Sequence, residues 1–165
     1  MDISFRNLVK EDFENVRKLA LKGWYFSYSH LNKSELKKLV DTYYSDETLY
    51  IALEDMKTGK QFFVLAQDKN ELLGFCNVSA KEGNGELLRL YIEPELIGKG
   101  LGKKLLDLGE DYLIKKGIEK YFTYVNKHNK IGYEFYLRNG FIRLHEKDMN
   151  DEFESKALWY IEKTI

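Results

Sequence analysis

The sequence predicts an α/β fold of the α+β mixed-sheet kind, with a central twisted mixed β-sheet and helices on both faces. Three observations carry that prediction. Along the chain the apolar residues switch between alternation and helical spacing in the order β-α-α-α-β-β-β-α-β-α-β-β. Three of those strands follow one another at hairpin spacing. A strand, a glycine-rich turn and a long amphipathic helix then stand together from Glu86 to Lys116, and the rest of the chain is organised around them.

Ile3 to Asn7 alternates and reads as a short strand. From Glu11, Phe13, Val16, Leu19 and Ala20 recur at helical spacing, so a first helix ends near Trp24, leaving Trp24-Tyr25-Phe26-Ser27-Tyr28 as an aromatic connecting segment. Asn32 with Glu35 three residues on makes a capping box for a second helix through Tyr44, and Ser45 opens a third that runs to Met56. Gln61 to Gln67 and Glu71 to Ala80 are strands, and Gly83-Asn84-Gly85 turns the chain into a third strand, Glu86 to Ile92. Leu101, Leu105, Leu108 and Tyr112 form the apolar stripe of the long helix, which Gly117 closes. Lys120 to Val125 is a strand, Asn129 to Asn139 a helix ended by Gly140, and Phe141 to His145 a strand. A polar, mainly acidic loop, Asp148 to Glu154, precedes a last strand from Lys156 to Glu162.

At 165 residues the chain is most simply one domain, residues 1–165. Its 44% hydrophobic content predicts a packed core, and a net charge of -1 with 32% charged residues gives no basic field to draw nucleic acid. No apolar run has the length of a membrane span, and the amino terminus lacks the pattern of a signal peptide, so a cytoplasmic location is expected. Cys76 is the only thiol and reads as a small core residue. His30, His128 and His145 show no metal-ligand spacing with one another or with Cys76, so no metal is expected. A homodimer is admitted by the sequence without being specified by it.

Chemistry concentrates in Gly98-Lys99-Gly100-Leu101-Gly102-Lys103. Glycines ahead of a helix let main-chain N–H groups converge, and the helix dipole adds positive charge, so a phosphate or pyrophosphate is the natural guest. A Rossmann fingerprint would need glycine at Lys103, and a P-loop would need Ser or Thr at Lys104. Neither pattern holds. Strand, Pro94, glycine turn and long helix together resemble the acyl-CoA pyrophosphate loop of the Gcn5-related N-acetyltransferase (GNAT) superfamily. Its (Gln/Arg)-x-x-Gly-x-(Gly/Ala) pattern is met from Ile97 to Gly102 except at the first position. Ile97 there forgoes a charge-assisted hydrogen bond of roughly 1.5 to 3 kcal/mol.

The superfamily's second signature, Asn-x-x-Ala-x-x-x-Tyr followed by Gly-Phe, is matched by Asn129 to Tyr136 and Gly140-Phe141, with Gly132 in place of the alanine. From Glu86 to Phe141 the resemblance covers about a third of the chain. Glu86 to Ile92, Gly102 to Leu106, Phe135-Tyr136, Asn139-Gly140-Phe141 and Trp24 to Leu31 are most similar to the PaiA-type spermidine/spermine N-acetyltransferases.

The resemblance implies the GNAT fold and acetyl transfer from acetyl-CoA to a primary amine, with a polyamine as acceptor. It makes main-chain amides of Leu90, Tyr91 and Ile92 partners of the pantetheine arm, with the Leu90 N–H facing the thioester oxygen. The pyrophosphate falls to Ile97, Gly98, Lys99, Gly100, Leu101, Gly102 and Lys103. Asn129 holds the pantetheine or a water, and Tyr136 is the general acid for the departing thiolate. An alkyl ammonium near pKa 10.4 must lose a proton before it can attack. Glu86 is the candidate base, directly or through water, or else a solvated strand start; Glu93 is the weaker candidate. The acceptor groove is walled by Trp24 and Tyr28 on one side and Asp148 and Asp151 on the other, an aromatic and acidic lining suited to a cation with an alkyl body. Acetylation of a protein N-terminus or lysine, and CoA binding without turnover, are the alternatives.

Overall fold

A computed structural model describes residues 1–148 and 157–165 of the chain. Within them the elements follow the expected order: β1 (Ile3–Asn7), α1 (Phe13–Ser27), α2 (Lys33–Tyr43), α3 (Asp46–Lys57), β2 (Gln61–Asp68), β3 (Glu71–Lys81), β4 (Asn84–Ile92), α4 (Leu101–Lys115), β5 (Lys120–Asn126), α5 (Lys130–Arg138), β6 (Ile142–Asp148) and β7 (Ala157–Thr164). One seven-stranded sheet runs β1-β2-β3-β4-β5-β7-β6, with β4 and β5 parallel and the other neighbours antiparallel.

Strand alternation sorts the core into two layers. Val64, Ala66, Cys76, Val78 and Leu87 face α4, whose Leu101, Leu105, Leu106 and Leu113 fill that side. Phe63, Leu65 and Phe75 face the other way, against Phe13, Val16, Leu19 and Ala20 of α1 and Leu49 and Ala52 of α3. Cys76 is wholly buried in the first layer. Asn32 and Ser45 cap α2 and α3 through their side chains, as their positions indicate.

Three boundaries differ from the expectation. Helix α1 continues through Gly23 to Ser27, so Trp24 to Ser27 form its last turn, not a connecting segment. Burial of Gly23 against the sheet outweighs glycine's cost of about 1 kcal/mol in a helix. Strands β3 and β4 meet in a two-residue turn at Glu82-Gly83, both at positive φ (53° and 76°), so Asn84 and Gly85 already belong to β4. Asp148, expected in a loop, closes β6 opposite Ala157, while Asp151 lies outside the described residues.

Candidate active site

The site opens where two parallel strands part. β4 and β5 pair at Gly85–Tyr121 and Glu86–Phe122, and the described residues of both strands add no further rung although β4 runs on to Ile92. At the point of divergence the Leu87 carbonyl accepts the Thr123 hydroxyl at 2.8 Å instead of a main-chain N–H. A bulge opposite Asn77 and Val78 leaves Leu88 as an extra residue and bends β4 there. Beyond the parting lies a cavity of about 560 Å³, a size that holds a small ligand or the arm of a larger one.

Its walls come from four elements. Leu90, Tyr91 and Ile92 supply the end of β4, and Ile97, Gly98, Gly100, Gly102 and Lys103 the glycine turn and first turn of α4. Asn129, Gly132, Phe135 and Tyr136 come from α5, and Gly23, Phe26 and Ser27 from α1. Lys99 and Leu101 do not line it. Lys99 is exposed, and Leu101 buries its side chain in the core under α4.

The glycine turn fits an anion. Gly98 and Gly100 have φ of 80° and 87°, and no atom lies within 4 Å of where a Cβ would stand on either, so the turn's outer face is open. Gly100 is the N-cap of α4 and offers no side-chain cap, whereas α2, α3 and α5 are each capped by Asn or Ser. The first amides of α4 therefore point into the cavity mouth with the helix dipole behind them. Lys103 adds charge although it is paired with Asp107, and Arg138 brings a second cation from the end of α5. A pyrophosphate carried by a CoA-type molecule would be held by these groups.

Tyr136 reaches the cavity with its ring packed against Phe135 and Phe141. Burial pushes its phenol well above the ordinary tyrosine range, reinforced by the neighbouring Tyr91 hydroxyl and Cys76 thiol. A group in that setting stays protonated and can donate. Tyr91, its neighbour, is pushed up to about 12 by burial, against the pull of the Trp24 indole and the Arg89 guanidinium. The Asn129 Oδ1 accepts the Gly132 N–H at 3.0 Å as the N-cap of α5. A Cβ on Gly132 would come within 2.6 Å of the Asn129 amide, so glycine there is what lets Asn129 cap so closely.

The remaining predicted residues lie apart from the lining. Trp24 and Tyr28 pack edge to face at 5.7 Å behind the wall, with Tyr28 buried against Leu36; Phe26 and Ser27 take the lining positions instead. Glu86 sits at the closed end of the parting strands, paired with Phe122 and Ser79, four residues before Leu90. Glu93 is ion-paired with Lys22. The exposed rings of His128 and His30 lie 5.0 Å apart. Among the described residues no three His, Cys, Asp or Glu gather to hold a metal, and no helix is long and apolar enough to cross a membrane.

Sequence reading missed Ile131, Phe135 and Arg138, which line the cavity from α5. Their spacing of four and then three residues is the helical signal that would have found them once Tyr136 was placed.

The chain matches the acetyltransferase (GNAT) family over residues 14–141. It is 32% identical over 153 residues to the spermidine N(1)-acetyltransferase of Thermoplasma acidophilum, covering 92% of this chain and 94% of that one. The crystal structure of PaiA N-acetyltransferase from Thermoplasma acidophilum in complex with coenzyme A superposes with a TM-score of 0.87 at 29% identity, covering 100% of both chains. The structure of Ard1 from Thermoplasma volcanium has a TM-score of 0.76 at 14% identity over 100% of this chain and 99% of that one, a likeness of fold alone. Parted strands, the uncapped glycine turn and Tyr136 surround one cavity, and with the family match running over most of its length the chain belongs to the GNAT family of acetyltransferases.

Proposed function

We propose that this chain transfers the acetyl group of acetyl-CoA to a primary amine of a polyamine such as spermidine. The observation that carries the reading is the cavity between the parted strands, with uncapped α4 amides at one end and the Tyr136 phenol in its wall. The amides from Gly98 to Lys103, with Arg138, take the pyrophosphate, and the main chain of Leu90 to Ile92 takes the pantetheine arm as an added strand would. The Leu90 N–H polarises the thioester carbonyl, and Tyr136 hands its proton to the departing sulfur. The acceptor's proton passes to solvent water before attack, because Glu86 stands at the closed end of the parting strands, four residues along β4 from Leu90. The similarity to a spermidine acetyltransferase supports the choice of acceptor. A cytoplasmic location belongs to the same reading, and the lone buried thiol of Cys76 suits a reducing compartment.

The test is thiol release from acetyl-CoA by the full chain offered spermidine, spermine, short diamines and peptides with a free N-terminus or lysine. Turnover with the polyamines is expected. Turnover confined to peptides would make it a protein acetyltransferase, and calorimetric CoA binding without turnover on any amine would make it a binding module.

A further inference from the structure

A second cluster of side chains lies on the sheet face turned away from α4. On β5 and β7, Tyr121, Val125 and Ile161 enter the core under α4, and Lys163 pairs with Glu110 of that helix at 2.5 Å. Alternation therefore puts Phe122, Tyr124, Tyr160 and Glu162 on the opposite face. The three rings touch one another: Phe122 stacks on Tyr160 at 5.2 Å, Tyr124 meets Phe122 edge-on at 5.6 Å, and Tyr124 and Tyr160 are 5.4 Å apart. All three are half-buried, so each keeps part of its surface in solvent.

Two carboxylates border this patch. Phe122 has Glu86 as its partner on β4 and Glu162 as its partner on β7, so the ring sits between two acids in one row across the sheet. The Tyr160 hydroxyl registers their field: its pKa is raised by burial first, and then by Glu162, Tyr124 and Glu86. On the other side of the balance, Lys120 lies 3.2 Å from Glu162, and Arg89 is spent over the Tyr44 ring and on the Asn77 and Tyr43 oxygens. Aromatic faces flanked by two acids attract an organic cation whose alkyl part can lie on the rings.

We propose that Phe122, Tyr124 and Tyr160, with Glu86 and Glu162 at their edges, bind the distal ammonium of a long di- or triamine whose reacting nitrogen lies at the Leu90 end of β4. The proposal rests on the polyamine reading and adds to it the residues that read acceptor length. Because Leu88 is bulged, the stretch from Glu86 to Leu90 lies opposite three steps of β3, Ser79 to Cys76, roughly 10 Å of strand at ~3.3 Å per residue. An extended triamine spans that distance and a three-carbon diamine does not. The row of side chains thus acts as a ruler.

The experiment compares kcat/KM for propylamine, a series of α,ω-diamines of increasing length, and spermidine in the wild type, Tyr160→Leu and Glu162→Gln. The wild type should favour the longer acceptors. Both variants should flatten that preference, lowering the spermidine-to-propylamine ratio by about tenfold, mainly through KM. Glu162→Gln keeps the strand's shape and serves if Tyr160→Leu folds poorly. If spermidine is acetylated but the ratio stays put, or both amines lose activity in parallel, the ruler is wrong and the polyamine reading survives. A wild type that acetylates no amine removes that reading, and the ruler with it.

Discussion

Gly23 of α1 lies against the ring of Tyr91 so closely that a Cβ on it would stand 2.6 Å from the Tyr91 Cδ1. The ring has little freedom to give way, being packed by Phe75 at 5.8 Å and Tyr44 at 6.5 Å. Through this contact the helix that walls the cavity rests directly on the strand that lines it.

Gly23→Ala should therefore destabilise the protein by about 1 to 2 kcal/mol, overpacking exceeding the gain in helix propensity. Thermal or urea unfolding reads the loss. A second change, Tyr91→Leu, should return part of it, since the two sites act on one contact. Additive losses would show that they do not.

Tyr136→Phe should lower kcat by about 10² to 10⁴ while the circular dichroism stays that of the wild type. Burial raises the Tyr136 pKa, so its acid form persists throughout the neutral range. The wild-type kcat/KM should accordingly climb with pH as the acceptor ammonium loses its proton, without a descending limb below about pH 10. A descending limb near neutrality would remove Tyr136 from the donor role.

Ile97 stands exposed at the cavity mouth, where the superfamily's pattern has Gln or Arg. Ile97→Arg should tighten CoA binding by about tenfold, the equivalent of one charge-assisted hydrogen bond. Isothermal calorimetry with CoA measures it directly; an unchanged Kd would mean that position 97 does not face the phosphates.

Stability at high pH follows from four phenols, of which Tyr28, Tyr44 and Tyr121 are buried and Tyr136 is half-buried in the cavity wall. Tyr28, Tyr44, Tyr121 and Tyr136 all have their pKa raised, burial being the largest cause in each. A folded-state pKa above the unfolded value contributes stability that is whole below the unfolded phenol pKa and is lost as pH rises past it. The melting temperature should hold to about pH 10 and then fall steeply, in step with tyrosinate absorbance. Ionisation of all twelve tyrosines without loss of structure would contradict the raised pKa of these four.

The sequence by itself determined what depends on neighbours along the chain. Periodicity gave every element its type and order, Asn32 and Ser45 declared the caps of α2 and α3, and Gly98 and Gly100 declared a turn whose positive φ only glycine adopts without strain. Tertiary structure decided what depends on strands and helices far apart in sequence. The parting of β4 from β5 after Glu86–Phe122 is set by ladder register and the Leu88 bulge, which no local pattern records. Carrying α1 through Gly23 took docking on Tyr91, and that extra turn put Phe26 and Ser27 on the cavity in place of Trp24 and Tyr28. The row of Glu86, Phe122 and Glu162 exists only because β4, β5 and β7 lie side by side. Local chemistry is written in short stretches of sequence, whereas a cavity is the space between stretches that only the folded chain brings together.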